Sequence, residues 1–474
     1  MRQGRRPGDR RVRVGRRRPQ AIAADAASAV RRPPRRPALV LAAGFLALIA
    51  IGTGLLTLPL SAAAGTWTSP VDALFTATSA VCVTGLVVVD TGTYWSPFGQ
   101  LVILGLIQVG GFGFMTGSTL LLLLLVGRRT GLSERILAQE SAGARDLGSV
   151  RIVLRRVAIF SLVAEGIGAA VLTLAFLARY GDATKAAWHG IFHAVSAFNN
   201  AGFDLMGGFA SLNGFAGTPS VFVPIGVLIF LGGLGVAIVG DVIDKRRWVR
   251  FALETKLVLA TTAVLLAAGT AALLAFEWGN PATLGALPEV QRPLNALFES
   301  VSFRTAGMST VPIGSLTESS LITAIALMFI GGASGSTAGG IKVTTFAILL
   351  FTIISTVRGR EFTEAFGRRV TGEVVARALS IALLAVAFGF GGTLLVEVLG
   401  APGSFLQIAF ETASAFGTVG HTTGITPQLS DPVLVVLAVA MFIGRLGPLT
   451  LVLALSARSR PVRYRPAVET LRIG

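Results

Sequence analysis

The sequence predicts an all-α, polytopic membrane protein made of four fused repeats, each a span, a short re-entrant segment and a second span. Three observations support this fold class. Hydrophobic residues make up 53% and charged residues 14% of the chain, and the mean hydropathy is +0.73. A chain of this composition has more apolar surface than the core of a soluble protein can bury. Long stretches, such as 37–71 and 319–341, carry no charge and can each hold a span of about 20 residues. One segment also recurs four times.

The recurring segment is clearest at 298–310, which reads FESVSFRTAGMST. Its relatives at 74–88, 191–205 and 409–423 begin at or beside a phenylalanine, continue through small and hydroxylic residues, and reach a glycine. These glycines, Gly85, Gly202, Gly307 and Gly420, lie 117, 105 and 113 residues apart. A repeat of about 110 residues therefore fills the chain after its N-terminal tail.

The N-terminal 36 residues contain 13 arginines and lack an apolar period, which predicts a disordered, basic cytoplasmic tail. The apolar stretch that follows is too long for the core of a signal peptide, so we expect a retained first span. The predicted units are the tail at 1–36, repeats at 37–127, 128–240, 241–357 and 358–457, and a cytoplasmic C-terminal tail at 458–474.

Each repeat is expected to contribute two spans, eight in all. The first spans are predicted near 38–60, 157–177, 257–276 and 378–396, and the second spans near 98–126, 221–239, 321–357 and 433–455. An even number of spans places both termini on the same side of the membrane.

Charge distribution sets the orientation. The links at 127–156, 241–256 and 358–377 carry 7, 5 and 5 basic residues, and the chain after 455 carries 5 more. The re-entrant side holds only Arg179, Lys185, Arg292 and Arg304, against eleven carboxylates that include Asp72, Asp90, Asp204, Glu299 and Glu411. The positive-inside rule therefore predicts cytoplasmic termini and outward re-entrant segments, with an acidic outer face that attracts cations.

This distribution also explains the net charge of +17, which in a soluble protein would suggest a nucleic-acid partner. Here the basic residues lie in the tails and links, where they suit an anionic inner leaflet, so the expected partner is the lipid bilayer and not nucleic acid. The single cysteine, Cys82, excludes an intrachain disulfide and is expected to pack in the first short helix.

Each re-entrant segment ends in a tetrapeptide with glycine third. The four tetrapeptides are Val83-Thr84-Gly85-Leu86, Asn200-Ala201-Gly202-Phe203, Thr305-Ala306-Gly307-Met308 and Thr418-Val419-Gly420-His421. Irregular backbone at membrane depth must be buried or line a watery cavity. Glycine lets successive carbonyls face one axis, and four such strands could replace the hydration shell of a cation, as in tetrameric potassium channels. Close helix packing by small residues explains one copy more simply, but not four in register.

These segments resemble the Trk/Ktr/HKT family of potassium transporters, most closely the KtrB subunits of its Ktr type. The resemblance covers roughly 38–455 and is carried by SAFNNAGFD at 196–204, FRTAGMST at 303–310, SAFGTVGHTTGIT at 414–426, GGASGSTAGGIKVTT at 331–345 and GRLGPLTL at 444–451. The Trk type has two further N-terminal spans, and the polar tail here favours the Ktr type.

The resemblance implies a pseudo-fourfold, potassium-channel-like fold with the four tetrapeptides as the selectivity filter. It implies a homodimer in the bacterial plasma membrane that takes up K⁺, with Na⁺ as a second candidate ion, controlled by a cytosolic, nucleotide-binding KtrA-like ring. No covalent cofactor, metal site or enzymatic activity is expected.

Two tetrapeptides depart from the family pattern, since Met308 and His421 follow the glycine where apolar and often aromatic residues are usual. A histidine there could gain charge in mildly acid medium and repel a cation, so acidification would inhibit uptake and His421→Leu would change the pH profile. The alternative is a neutral imidazole that is hydrogen-bonded behind the filter.

A glycine-rich stretch interrupts the second span of the third repeat. This Gly-rich loop consists of Gly331, Gly332, Ala333, Ser334, Gly335, Ser336, Thr337, Ala338, Gly339 and Gly340. Its glycines disfavour a continuous helix, and it resembles the family's intramembrane gating loop below the filter. A phosphate-binding loop is excluded because Ile341 and Lys342 stand where that motif requires Lys followed by Ser or Thr.

Two cationic residues lie near this loop. Arg445 is central in the last span and needs partners, because a central arginine costs roughly +2.5–3.5 kcal/mol to insert. The resemblance places it against carbonyls of the Gly-rich loop as part of the gate; a bond that only ties two helices together is the alternative. Lys342 either braces the loop or approaches the cytoplasmic end.

Other candidates give weaker hypotheses. His189 and His193 share a helix face as a zinc pair does, but no third ligand completes a site, so packing histidines are favoured over an intramembrane metallohydrolase. Glu165 could serve a proton or sodium relay, although its position after Arg155 and Arg156 favours the cytoplasmic interface. A sodium- or proton-coupled carrier (a symporter) of the same fold is the alternative to a channel-like pathway.

Overall fold

The computed structural model describes residues 37–126 and 147–447, and within them the chain forms four helical repeats. Repeat 1 contains α1 (Pro37–Thr57), α2 (Pro70–Cys82) and α3 (Pro97–Val126); repeat 2 contains α4 (Leu147–Tyr180), α5 (Ala183–Phe198), α6 (Pro219–Leu234) and α7 (Val236–Lys245); repeat 3 contains α8 (Leu253–Glu277), α9 (Arg292–Ser302), α10 (Glu318–Phe329) and α11 (Val343–Val357); repeat 4 contains α12 (Gly372–Val398), α13 (Phe405–Gly417) and α14 (Asp431–Leu446). The predicted tails, most of the 127–156 link and the end of the last span lie outside the described residues.

The short helices α2, α5, α9 and α13 are the predicted re-entrant segments. They have 13, 16, 11 and 13 residues, and at 1.5 Å per residue they are too short to cross about 30 Å of hydrocarbon. Local signals start them: Pro70 occupies the first turn of α2, the Asp182 carboxylate caps α5, and Ser404 forms a capping box with Gln407 on α13.

The repeats close into a ring. Each of the four short helices packs against the first helix of its own repeat and also contacts a helix of the preceding repeat around the ring. Specifically, α3 contacts α5, α6 contacts α9, α10 contacts α13, and α14 of the last repeat contacts α2 of the first. The loops that follow the four short helices therefore lie around a common centre.

Large apolar side chains face outward on the first helices of the later repeats. Leu162, Val264, Leu383 and Phe390 are each more than half exposed. Within the described residues, four helices are long and apolar enough to cross a membrane, or five if α6 and α7 form one bent span. An outward apolar surface of this kind suits lipid and confirms a multi-pass membrane protein.

Two predicted spans are broken. The second span of repeat 2, expected at 221–239, ends at Leu234, and α7 leaves it at 93°. The bend lies at Gly235, whose φ is +75° and which faces the backbone of Gly335, so the chain turns aside where the Gly-rich loop approaches. In repeat 3, residues 330–342 separate α10 from α11, as the interruption of the apolar pattern indicated.

A small antiparallel hairpin precedes repeat 4. Strands β1 (Glu364–Ala365) and β2 (Arg368–Arg369) pair Glu364 with Arg369 in the basic link between α11 and α12. The sequence predicted only an irregular link there, because two-residue strands leave no periodic signal.

Candidate functional site

The four glycines of the tetrapeptides meet in a closed ring. A methyl group placed on Gly85 would lie 2.7 Å from the Cα of Gly202; the corresponding distances are 3.2 Å from Gly202 to Gly307, 3.0 Å from Gly307 to Gly420, and 3.0 Å from Gly420 back to Gly85. Real Cβ atoms essentially never lie closer than 3.0 Å to another atom and rarely closer than 3.4 Å, and all four glycines have positive φ, so these positions favour glycine strongly. The spacing of about 110 residues therefore brings four equivalent points to one centre.

The backbone of each tetrapeptide alternates between positive and negative φ over its first three residues. The first residue of every tetrapeptide is left-handed, with φ of 57° at Val83, 57° at Asn200, 78° at Thr305 and 50° at Thr418, and the glycines have φ of 96°, 73°, 71° and 98°. The residue between them has negative φ. Left-handed geometry is a true outlier for the β-branched residues among these four. Alternation of this kind turns successive carbonyls to the same side of the strand.

Most carbonyls of the tetrapeptides have no protein partner. Within the described residues, only those of Phe203 and Met308 accept a hydrogen bond. Fifteen of the sixteen residues are buried, the exception being Gly307, which is partly buried. Buried carbonyls in proteins are nearly always paired. Unpaired carbonyls that converge on a common centre have the chemistry to coordinate a dehydrated cation.

The short helices aim their C-terminal ends at the same centre. α2 and α13 end directly before a tetrapeptide, one residue separates α5 from its tetrapeptide, and two residues separate α9 from its own. The C-terminus of a helix carries a partial negative charge. Four such ends add a favourable field for a cation in the ring.

A serine on each short helix holds the tetrapeptide, and the sequence analysis did not single these residues out. Ser79 and Ser414 accept from the backbone N–H of Gly85 and Gly420, at 3.0 and 3.1 Å. Ser196 and Ser302 instead donate to the carbonyls of Phe203 and Met308. The signal that could have found them is a serine five or six positions before every repeated glycine.

Three short helices also hold the strand beyond the glycine. Glu299 accepts from the N–H of Thr310, Glu411 from that of Thr423, and the Nε2 of His193 from that of Leu205, in each case three residues past the glycine. Glu299 and Glu411 are 1% exposed. These two carboxylates therefore do not lie on an exposed surface, as residues of an acidic outer face would, because they accept from buried backbone and hydroxyl donors.

The histidine pair is structural. Nδ1 of His193 lies 2.7 Å from the carbonyl oxygen of His189 and Nε2 faces Leu205, so both ring nitrogens are engaged; His189 contacts the Tyr180 hydroxyl. Among the described residues no cluster of three metal-ligating side chains occurs. Nothing here supports the zinc-dependent hydrolase.

The Gly-rich loop lies against three tetrapeptides, at Asn200, Thr305 and Thr418. The hydroxyl of Thr337 is 3.0 Å from the Asn200 side-chain amide, and a methyl on Gly339 would lie 2.0 Å from the hydroxyl of Thr418. Backbone bonds from Ala333 and Thr337 to Gly233 and Gly232 fasten the loop to the end of α6. The loop is thus packed directly beside the ring.

Two cations bind carbonyls of this loop. Arg445, 1% exposed, donates to the carbonyl of Thr337, and its second nitrogen lies 3.5 Å from the carbonyl of Gly110. Lys342 donates to the carbonyl of Ala338, so it braces the loop. Both cations also lie over the ring of Phe114, at 4.4 and 5.0 Å from its centre. Neither forms an ion pair with a carboxylate in the described part of the chain.

Arg304 is a third cation at the loop. The charge count placed it among outward residues, but it is 8% exposed and donates to the carbonyl of Gly331 at 2.9 Å. Its burial was not predicted, because Arg304 follows the buried end of α9 and its partner lies 27 residues further along the chain.

His421 lies behind the ring and is 2% exposed. Its Nε2 is 3.1 Å from the Ser302 hydroxyl, and its ring packs on Phe303 with centres 4.8 Å apart. This is the hydrogen-bonded alternative of the two arrangements that the sequence left open. Cys82, the last residue of α2, is fully buried, as expected.

Glu165 does not face the cytoplasmic interface, which corrects the sequence-based expectation. It is 5% exposed and accepts from the amides of Gln108 and Asn199 at 2.9 and 3.0 Å. Asn199 caps α5 and directly precedes the tetrapeptide of repeat 2. Glu165 therefore joins α3, α4 and the end of α5 behind the ring.

Removing this carboxylate is expected to destabilise the protein. Glu165→Leu leaves the partly buried Gln108 amide without its acceptor and removes one of the three acceptors of the buried Asn199 amide, at a cost of about 1–3 kcal/mol, whereas Glu165→Gln retains a side-chain carbonyl. We expect the Leu variant to melt several degrees lower in detergent and the Gln variant to stay near wild type. Equal melting temperatures for all three proteins would contradict this role.

Comparison with known proteins agrees with this architecture. A family model described as TrkH, cation transport protein, matches residues 20–460. The chain is 41% identical to the Ktr system potassium uptake protein B of Bacillus subtilis over 90% of this chain and 95% of that protein. It is 37% identical to the potassium/sodium uptake protein NtpJ of Enterococcus hirae, over 92% and 97%. The crystal structure of the potassium transporter TrkH from Vibrio parahaemolyticus superposes with a TM-score of 0.70 at 18% identity, covering 92% of this chain and 87% of that one.

Proposed function

The chain belongs to the TrkH family of cation transport proteins, and we propose that it takes up potassium ions through the ring formed by its four tetrapeptides. The ring, with its buried and unpaired carbonyls, carries this assignment. Each unpaired carbonyl would cost about 1–3 kcal/mol if nothing replaced water. A dehydrated cation on the axis replaces it, and the carbonyls in turn replace the hydration shell of the ion.

The Gly-rich loop is the gate in this proposal. It lies next to the ring, and its three cationic contacts come from three different places: Arg304 beside the ring, Arg445 on α14, and Lys342 at the start of α11. None of the three has a carboxylate partner in the described residues, and the charges on Arg445 and Lys342 raise the energy of a cation that passes them. Displacement of the loop together with Arg445 opens the pathway.

The proposed regulation and assembly are based on the similarity to known relatives. The name of the Bacillus subtilis relative refers to a Ktr system, which supports a cytosolic KtrA-like regulatory ring acting on the loop. We also propose a homodimer in the bacterial plasma membrane, cytoplasmic termini and the repeat boundaries 37–127, 128–240, 241–357 and 358–457. The name of the Enterococcus hirae relative includes sodium, so sodium-coupled or sodium-conducting transport is the second candidate.

Growth of a potassium-uptake-deficient bacterium in low-potassium medium tests the proposal. Wild type is expected to restore growth, and Gly307→Ser to require at least about tenfold more potassium, because Gly307 has φ of 71° and a side chain there would lie 2.5 Å from the carbonyl of Val419. Gly208→Ser is the matched control, since Gly208 has φ of 62° but open space around it. No growth with membrane-localised wild type, or equal growth of the Gly307 variant, would refute it.

A further inference from the structure

We propose that the outermost level of the filter is only half complete. The serines Ser196 and Ser302 hold the carbonyls of Phe203 and Met308 away from the axis, which leaves those of Leu86 and His421 to coordinate the ion. This inference rests on the proposed filter and assigns the serines of α5 and α9 a part in its specificity.

The four serines occupy equivalent places but make two kinds of bond. In repeats 1 and 4 the hydroxyl of Ser79 or Ser414 accepts from the glycine N–H. In repeats 2 and 3 the hydroxyl of Ser196 or Ser302 donates to the carbonyl after the glycine, at 2.6 and 2.5 Å. The corresponding carbonyls of repeats 1 and 4 accept no hydrogen bond within 37–126 and 147–447.

The glycine conformations follow the same pairing. Gly85 and Gly420 have φ of 96° and 98°, and Gly202 and Gly307 have φ of 73° and 71°. The backbone thus differs between the two pairs by about 25° at the residue directly before the carbonyl in question. The ring is therefore divided into two adjacent halves, repeats 4 and 1 against repeats 2 and 3.

The direction of the held carbonyls follows from where the serines lie. Each serine belongs to the short helix that precedes its tetrapeptide, whereas each of the four glycines lies against the next glycine around the ring. A carbonyl that accepts a bond from its own short helix points outward. An ion at this level meets two carbonyls in place of four, and because selectivity depends on the number of coordinating dipoles, discrimination there is weaker.

His421 fixes one of these bonds. The hydroxyl hydrogen of Ser302 is used by Met308, so its oxygen must accept from Nε2 of His421, 3.1 Å away. The bond geometry assigns the ring proton to Nε2. A side chain of repeat 4 thereby orients the hydroxyl that holds the carbonyl of repeat 3.

Serine-to-alanine variants at the four equivalent positions test this inference. Freed carbonyls can turn to the axis, so Ser196→Ala and Ser302→Ala together are expected to lower the half-saturation constant for potassium uptake about fivefold. Ser79→Ala and Ser414→Ala are the matched controls. Each removes the acceptor of a glycine N–H and is expected to raise the half-saturation constant for potassium uptake. If all four substitutions shift the constant in the same direction, the serines only brace the strand and the inference fails.

A second measurement keeps the inference separate from the proposed function. Potassium binding to full-length protein in detergent is measured by calorimetry for the wild type, for the single variants Ser196→Ala and Ser302→Ala, and for His421→Leu, which leaves Ser302 in place but removes the N–H that orients its hydroxyl. Tighter potassium binding by the single variants and by His421→Leu supports the inference. Wild-type binding with unchanged affinities in the variants overturns the inference alone, and a wild type that neither binds nor transports potassium overturns the filter as well.

Discussion

Replacing Gly420 with alanine is expected to reduce potassium uptake at least about 100-fold. Alanine at φ of 98° costs about 1–3 kcal/mol in backbone strain. Its methyl group would also lie 2.2 Å from the carbonyl oxygen of Thr84 and 3.0 Å from the Cα of Gly85. Both atoms belong to backbone on the far side of the repeat 4–repeat 1 junction, so the ring itself must open, and its carbonyls lose the distances that dehydrate the ion.

Gly424→Ala separates the two contributions. Gly424 has φ of 97°, almost the same as Gly420, but nothing within 4 Å of an added methyl group. Rubidium or potassium flux into proteoliposomes, compared at equal protein content, should be near wild type for Gly424→Ala and lost for Gly420→Ala. Equal losses would assign the effect to backbone strain alone, and uptake retained by Gly420→Ala would exclude the ring as the ion path.

Replacing Arg445 with alanine is expected to raise potassium flux about tenfold in the absence of a regulatory partner. The substitution removes a buried positive charge and the bond that holds the carbonyl of Thr337. A barrier lower by about 1.4 kcal/mol suffices for this change, and an unpaired charge in a partly dehydrated pore supplies more than that. The loop should also respond less to any regulator, since one of its three cationic anchors is gone.

Arg292→Ala is the matched control. Arg292 likewise donates to backbone carbonyls, those of Leu287, Trp278 and Gly285, and lies 4.9 Å from the centre of the Trp278 ring. Its contacts stay within the connection between α8 and α9, far along the chain from the Gly-rich loop. Flux raised by both variants would indicate general loosening of the protein, and flux raised by neither would remove Arg445 from the barrier.

Several features of the site could be predicted before any coordinates. The convergence of the four segments could be predicted from the repeated glycines. A residue without a side chain is required where four backbones come close together, and each repeat has one at the equivalent position. The Gly-rich loop and Arg445 could also be identified from the sequence. A helix break and a charge in an apolar span both cost free energy, which is offset only where the groups are buried in protein with polar partners or line a water-filled cavity. The family membership then agreed with that reading.

By itself, then, the sequence determined that this is a membrane protein of four repeats with a glycine at the centre of each, since composition and periodicity are properties of the chain. Only the tertiary structure decided which polar residues face the ring and which support it from behind. The burial of Glu299, Glu411, Arg304 and Glu165 was not predicted from local sequence. The partners of these residues lie in other helices or beyond the next turn, and a buried charge is recognised by those distant donors and acceptors rather than by its neighbours in the chain.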